Sequence, residues 1–241
     1  MDVIAFQYFG RVGHFLKAEA GVSAPSYPVP PRTVILGLLG AILGLEKDTP
    51  QEHLGPACIA ISGRLPQTFW HRVKLRKENI PFLPSRIKKS QKLSEKEGGE
   101  IRPALILQEW LFNPLFNIWV SLPEPFHKDL KERLQNQQWH FQPCLGLSEM
   151  SAGLQWVDAD EAKPLPHGHY PIDTIFPQNA GQMDMDAITG ELAVHAIRMP
   201  RQVTSDRVFL HEDYFMEKEA RPVPLTTGKA FEWKDRVIVW M

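Results

Sequence analysis

The chain has 241 residues, 43% hydrophobic and 23% charged, which is enough apolar content to bury a sizeable core in one large or two small domains and excludes a disordered tail. Its formal net charge of −1 hides a division: residues 69–102 carry ten Lys/Arg against four Glu (+6), and the remainder 17 against 24 (−7). A basic arm on an acidic body is the layout of a part that touches nucleic acid in one place and protein elsewhere. No apolar run reaches the roughly 20 residues of a membrane span, and no basic-plus-apolar signal opens the chain, so a cytoplasmic location is expected. Cys58 and Cys144 are isolated and lack metal-ligand spacing, so they read as buried thiols rather than a disulfide.

Residues 1–8 alternate and are rich in Val, Ile, Phe and Tyr, which gives a first strand; Gly10 and Gly13 mark the turn after it. Tyr27 to Gly44, YPVPPRTVILGLLGAILG, joins a proline-stiffened loop to an almost wholly apolar helix over 31–45. Pro31 suits the first helical position, where a missing N–H costs nothing. Arg32 and Thr33 follow at the mouth, where free N–H groups and the positive end of the helix dipole stand beside a guanidinium and a hydroxyl, an arrangement that holds phosphate. Gly37, Gly40 and Gly44 each cost roughly 1 kcal/mol relative to alanine. That cost implies close packing on a sheet, with another element over the helix.

Ala57 to Leu65 reads as a second strand and Phe116 to Leu122 as a third, with Phe116, Ile118 and Val120 on one face. Pro123 and Pro125 open a helix to about Gln138, on which Phe126, Leu130 and Leu134 recur at spacings of four. Phe141 to Leu147 reads as the fourth strand, ending at Gly146. The order β, α, β, β, α, β is the ferredoxin-like α+β plan, whose antiparallel sheet exposes one face when both helices cover the other.

About fifty residues separate the second and third strands, where that plan needs only a tight turn. The flanks, Phe69 to Leu75 and Ala104 to Phe112, look strand-like, and 86–102 are charged and glycine-containing, so the insertion reads as a long β-hairpin with a basic tip. From about Ala152 the chain changes to short strands, prolines and acidic turns, with strand pairs near 193–199, 207–217 and 231–240. Two regions are expected: 1–150, carrying the hairpin at about 66–115, and a small β-rich region over 151–241.

The hairpin gathers Arg72, Lys74, Arg76, Lys77, Arg86, Lys88, Lys89, Lys92 and Arg102, interleaved with Phe69, Trp70 and His71. Cations hold phosphates, and aromatic rings stack on unpaired bases. A solvated lysine-rich loop is the plainer alternative. His14 or His71, the latter beside Arg72 and Lys74, offers a base and a cation for metal-independent RNA cleavage. With nine histidines and no spacing that singles one out, a surface or base-contacting role suits them better. His167 and His169 sit among prolines without a third ligand and read as a turn. Asp184 and Asp186 begin no complete cation loop, and Walker, Rossmann, serine-elbow and paired-cysteine zinc motifs are absent.

FGRVGHFLKAEAGVSAPSYPVPPRTVILGLLGAILG (9–44) resembles the N-terminal signature of the Cas-five family, the RAMP-superfamily subunit of type I CRISPR Cascade. The shared pattern is a strand running to a glycine turn, an aromatic, a proline-rich turn, Arg/Lys-Thr/Ser, and Leu-Leu-Gly-Ala-Ile-Leu-Gly. The match covers about 45 residues. Beyond it, the resemblance lies in length, the ferredoxin-like (RRM/RAMP) order and an insertion that looks like the family's thumb.

The resemblance implies a non-catalytic RNA-binding subunit that caps the 5′ handle of the CRISPR RNA and packs against the Cascade backbone and large subunits. Target DNA is met only through the complex, and no cofactor, metal or membrane is implied. Arg32 and Thr33 fall on the turn near the handle, and Gly10, Gly13 and His14 on the glycine loop. One branch of the family, from type I-C systems, cuts precursor RNA with a Tyr, Lys and His set; the Leu-Leu-Gly-Ala-Ile-Leu-Gly helix places this chain with the non-cutting members. The alternative is a metal-independent endoribonuclease using His14, His71 or Lys74, and a third reading is a purely structural protein-binding module.

Overall fold

The computed structural model describes residues 1–17, 21, 23–75, 104–186, 188, 192–204 and 206–241. Strand β1 (Asp2–Phe9) leads through short strands β2 (Val12–Gly13), β3 (Phe15–Leu16) and β4 (Ser26–Tyr27) to helix α1 (Arg32–Leu43) and a turn of helix, α2 (Pro50–His53). Strands β5 (Cys58–Ser62), β6 (Gln67–Leu75), β7 (Ala104–Phe112) and β8 (Leu115–Ser121) precede helix α3 (Phe126–Asn136) and strand β9 (Gly153–Glu161). The rest is β-rich: β10 (Lys163–Pro164), β11 (Gly168–Ile172), β12 (Phe176–Pro177), β13 (Gln182–Met183), β14 (Val194–Val203), β15 (Phe209–Glu217), β16 (Val223–Thr227), β17 (Ala230–Trp233) and β18 (Arg236–Val239).

The central sheet has the order β5-β8-β1-β9, with every neighbouring pair antiparallel. Alternation sends Ile4, Phe6 and Tyr8 of β1, Ile59 and Ile61 of β5, and Phe116, Ile118 and Val120 of β8 to one face. There they meet Ile35, Leu36, Leu39 and Ile42 of α1 and Leu130 and Leu134 of α3. Each fully buried side chain of this size stabilises by roughly 1.5–3 kcal/mol.

The opposite face is not left bare, as the two-helix plan led us to expect. Val3, Ala5, Ala60 and Trp119 pack there against Ala162, Trp233 and Ile238, so the β17–β18 hairpin covers half of it. Small side chains at positions 5 and 60 make room for two tryptophans, whose rings meet edge-on at 6.2 Å. The chain end is held as well, since Met241 N–H donates to the Ile59 carbonyl at 2.9 Å.

The fourth strand also differs from expectation. Residues 141–147 form no strand; Cys144 makes an isolated bridge to Ser151, and the strand that pairs with β1 is β9. Gly146 explains the loop: it has φ +93°, and a Cβ there would lie 1.9 Å from the His14 carbonyl. Helix α1 ends at Gly44, φ +79°, whose N–H returns to the Gly40 carbonyl. A Cβ on Gly40 would meet Pro50 Cγ at 2.3 Å, so that glycine marks close packing. Gly37 does not: it is exposed, and a Cβ there would meet nothing within 4 Å. Cys58 and Cys144 are both free and half-buried.

Among the described residues, no helix is long and apolar enough to cross a membrane.

Candidate nucleic-acid interface

Strands β6 and β7 form one hairpin, paired from Gln67↔Phe112 to Leu75↔Ala104. Its period of two separates residues that the sequence places side by side. One face carries Phe69 and His71 against Trp110 and Phe112: Phe69 meets Trp110 at 5.9 Å and Phe112 at 6.5 Å, and His71 meets Trp110 at 4.2 Å between ring centroids. The other carries Trp70, Arg72 and Lys74 opposite Glu109, Leu107 and Leu105. Trp70 is 53% exposed, and Arg72 and Lys74 are exposed beside it. Arg76, Lys77, Arg86, Lys88, Lys89, Lys92 and Arg102 lie outside the described residues.

The root of the hairpin is fixed. Leu111 is fully buried, and the loop before β4 runs along the edge of β7, with Ala24 N–H donating to the Leu107 carbonyl at 2.8 Å and Glu109 N–H to the Ala24 carbonyl at 2.9 Å. The Glu109 carboxylate accepts Ser26 N–H at 3.0 Å.

The glycine loop lies against the chain rather than open to a ligand. A Cβ on Gly10 would meet Leu145 Cδ1 at 2.5 Å, and one on Gly13 would meet Leu145 Cβ at 3.2 Å. His14 is 2% exposed, and its Nδ1 donates to the Glu109 carbonyl at 2.8 Å. It ties the loop to the hairpin root.

Arg32 likewise turns inward. Its guanidinium, 5% exposed, donates from Nη2 to the carbonyls of Gly55 at 2.7 Å and Ala57 at 2.9 Å, and from Nη1 to that of Arg201 at 3.4 Å. Burial, and then the nearby Arg201 cation, push its pKa below the usual arginine range. The helix mouth read from the sequence as a phosphate pocket is therefore a clamp joining α1, the loop before β5 and β14. Thr33 is half-buried, and its carbonyl accepts Gln51 Nε2–H at 3.0 Å.

The proposed cleavage set is not gathered. His14 is enclosed, and His71 and Lys74 sit on opposite faces of β6. The fold instead brings together three residues that sequence spacing did not connect. Tyr27 Oη lies 3.5 Å from His211 Nε2, and Lys17 Nζ stands over the Tyr27 ring at 5.9 Å from its centroid. One residue further along β15, Glu212 accepts from Arg201 Nε at 3.2 Å and from Tyr214 Oη at 3.2 Å. Burial, then Glu212, push the Tyr214 hydroxyl pKa well up. The nearest signal in the sequence was the aromatic within Ser26-Tyr27-Pro28.

His169 pairs with Thr226 Oγ1 at 3.4 Å and lies 3.9 Å from Asp184. Among the described residues, no three His, Cys, Asp or Glu are placed to hold a metal ion.

A four-stranded antiparallel sheet with two helices on one face, an exposed cation-bearing hairpin and a β-rich C-terminal part define the class: a strand-rich α+β protein with an inserted hairpin. The family model described as "CRISPR-associated protein (Cas_Cas5)" matches residues 3–216, and the chain belongs to that family. No curated protein sequence matches it. Among solved structures, a chain of a "CRISPR RNA-guided surveillance complex" is 16% identical, covers 92% of this chain and 91% of its own, and superposes with a TM-score of 0.52. A CRISPR protein from Archaeoglobus fulgidus is 15% identical over 99% of this chain and 98% of its own, with a TM-score of 0.51. At these identities the likeness is one of fold.

Proposed function

We propose that the chain is a non-catalytic RNA-binding subunit of a type I Cascade surveillance complex. It holds the 5′ handle of the CRISPR RNA and docks the backbone and large subunits for DNA interference. In this reading the β5-β8-β1-β9 sheet with α1 and α3 is the ferredoxin-like platform, with β9 belonging to it, and β6–β7 is the thumb. The residues after Glu161 form the β-rich C-terminal region.

The observation that carries the reading is the row Trp70, Arg72, Lys74 along one exposed hairpin face. Alternate cations at strand spacing suit successive phosphates, and an exposed indole between polar neighbours suits an unpaired base. In the sequence the row is followed by the cations from Arg76 to Arg102. Gly10, Gly13 and His14 serve this site indirectly by holding the loop beside the hairpin root, whereas Arg32 holds α1 to the loop before β5 and to β14. Nuclease footprinting of the guide in the assembled complex tests the assignment: its leading nucleotides are protected when the chain is present, and equal digestion with and without it would contradict the reading.

A second reading keeps one specific observation in its favour, the meeting of Tyr27, His211 and Lys17. The resemblance brings with it a branch of the family that cuts RNA with a Tyr, Lys and His set, and here Tyr27 meets both His211 and Lys17. In the main reading this cluster is structural.

A further inference from the structure

We propose that the half-open second face of the central sheet is a docking trough for an extended segment of another protein subunit. The inference rests on the assignment to a multisubunit complex made above. Two clefts meet on this face, sharing Asn117 and Ala220: one of about 440 Å³ reaches toward Trp233 and Asp235, and one of about 620 Å³ reaches the hairpin root at Gln67 and Phe112.

The floor is made for backbone. Gln7 Nε2 donates to Asn117 Oδ1 at 3.1 Å, and Ser62 lies beside them, so amide and hydroxyl groups present donors and acceptors together. Apolar anchors stand at both ends: Val157 is 48% exposed in one cleft, and Phe112 and Leu115 are 45% and 46% exposed in the other. Val157 is set there by a bulge, because β9 pairs Asp158 with Ala5 and Trp156 with Phe6, leaving Val157 without an opposite number. Trp119 and Trp233 border the closed end.

Charge selects the occupant. Lys234 is paired with Asp158, Arg236 with Asp173 at 3.0 Å, and Arg64 lies 3.8 Å from Glu219. The surplus group is Asp235, its side chain 85% exposed and 4.0 Å from the already paired Arg236. A phosphate backbone finds its cations already neutralised here, in contrast to Arg72 and Lys74 on the hairpin. A polypeptide with an apolar side chain toward Val157 or Leu115 and a Lys or Arg toward Asp235 fits both the polarity and the charge. It would also brace the hairpin, because Leu65 N–H is held by the Lys218 carbonyl at 2.8 Å where the trough meets the root.

The test is co-expression of the full chain with the proteins encoded beside it and a repeat-spacer RNA, followed by native mass spectrometry and zero-length carbodiimide crosslinking. Asp235 should crosslink to a lysine of one protein subunit. Val157→Arg with Leu115→Arg should cut that subunit's occupancy at least tenfold and leave the RNA bound. Asp235→Lys, in an exposed turn, should weaken the same subunit even where the double variant fails to fold. Full occupancy with Asp235→Lys, or ultraviolet crosslinks from the guide RNA into the trough, would overturn the inference and leave the functional reading intact. A wild-type chain that retains neither RNA nor protein would overturn both.

Discussion

Tyr27 and His211, 184 positions apart in sequence, meet at 3.5 Å between the phenol oxygen and the imidazole Nε2. If the main reading holds, purified chain incubated with repeat RNA in EDTA leaves the RNA intact, as judged by denaturing gel. Cleavage that is lost in Tyr27→Phe or His211→Ala would move the weight to the endoribonuclease reading.

Arg32 is predicted to act on stability before it acts on RNA. Replacing it with alanine leaves the carbonyls of Gly55, Ala57 and Arg201 without their donor. The expected loss is about 2–4 kcal/mol, seen as a lowered midpoint in denaturant unfolding. Arg32→Lys recovers only part of it, because one ammonium cannot span three acceptors in a planar fork.

Two glycines of one helix should respond with opposite signs. Gly37→Ala is expected to stabilise by about 0.5–1 kcal/mol, since the added methyl enters open space and the backbone gains helix propensity. Gly40→Ala is expected to destabilise, because its methyl would have to displace Pro50. Thermal unfolding of the two variants measures both.

These helix positions show what the sequence could and could not convey. The strand and helix periods of β1, β8, α1 and α3 were legible because each buries one continuous apolar face, as with Phe116, Ile118 and Val120. The glycine cost was legible too, but which glycine met a neighbour was not: Gly40 touches Pro50 and Gly37 touches nothing, a difference made by tertiary placement. The fourth strand was misplaced because Phe141 to Leu147 has the composition of a strand, whereas β9 hides its pattern behind the bulge at Val157. Arg32 looked like a phosphate ligand because its position beside a helix start is visible in sequence and its inward carbonyl partners are not. Lys17, Tyr27 and His211 come from segments whose meeting depends on the path of β15 beside the loop before α1, which no local spacing encodes.

His127 should give the fold a pH dependence. Its Nδ1 accepts the Leu122 N–H at 3.2 Å, and burial, outweighing Glu124 and Asp2 and aided by Lys131, holds its pKa below the ordinary value of 6.5. The unfolded chain therefore takes up the proton first, so this contribution is complete above about pH 6.5 and is lost as pH falls toward the lower folded value. His127→Asn keeps an acceptor and does not titrate. Its melting temperature should vary less over that window than the wild type's, and identical pH profiles would count against the assignment.

The direct measurement of the central claim is the salt dependence of repeat-RNA binding by the wild-type chain and by Arg72→Gln with Lys74→Gln. Each phosphate contact on single-stranded RNA contributes about 0.7 to the slope of log affinity against log salt, so the double variant should bind more weakly with a slope shallower by roughly 1.4. Superimposable isotherms at every salt concentration, from variants that remain folded, would contradict the account.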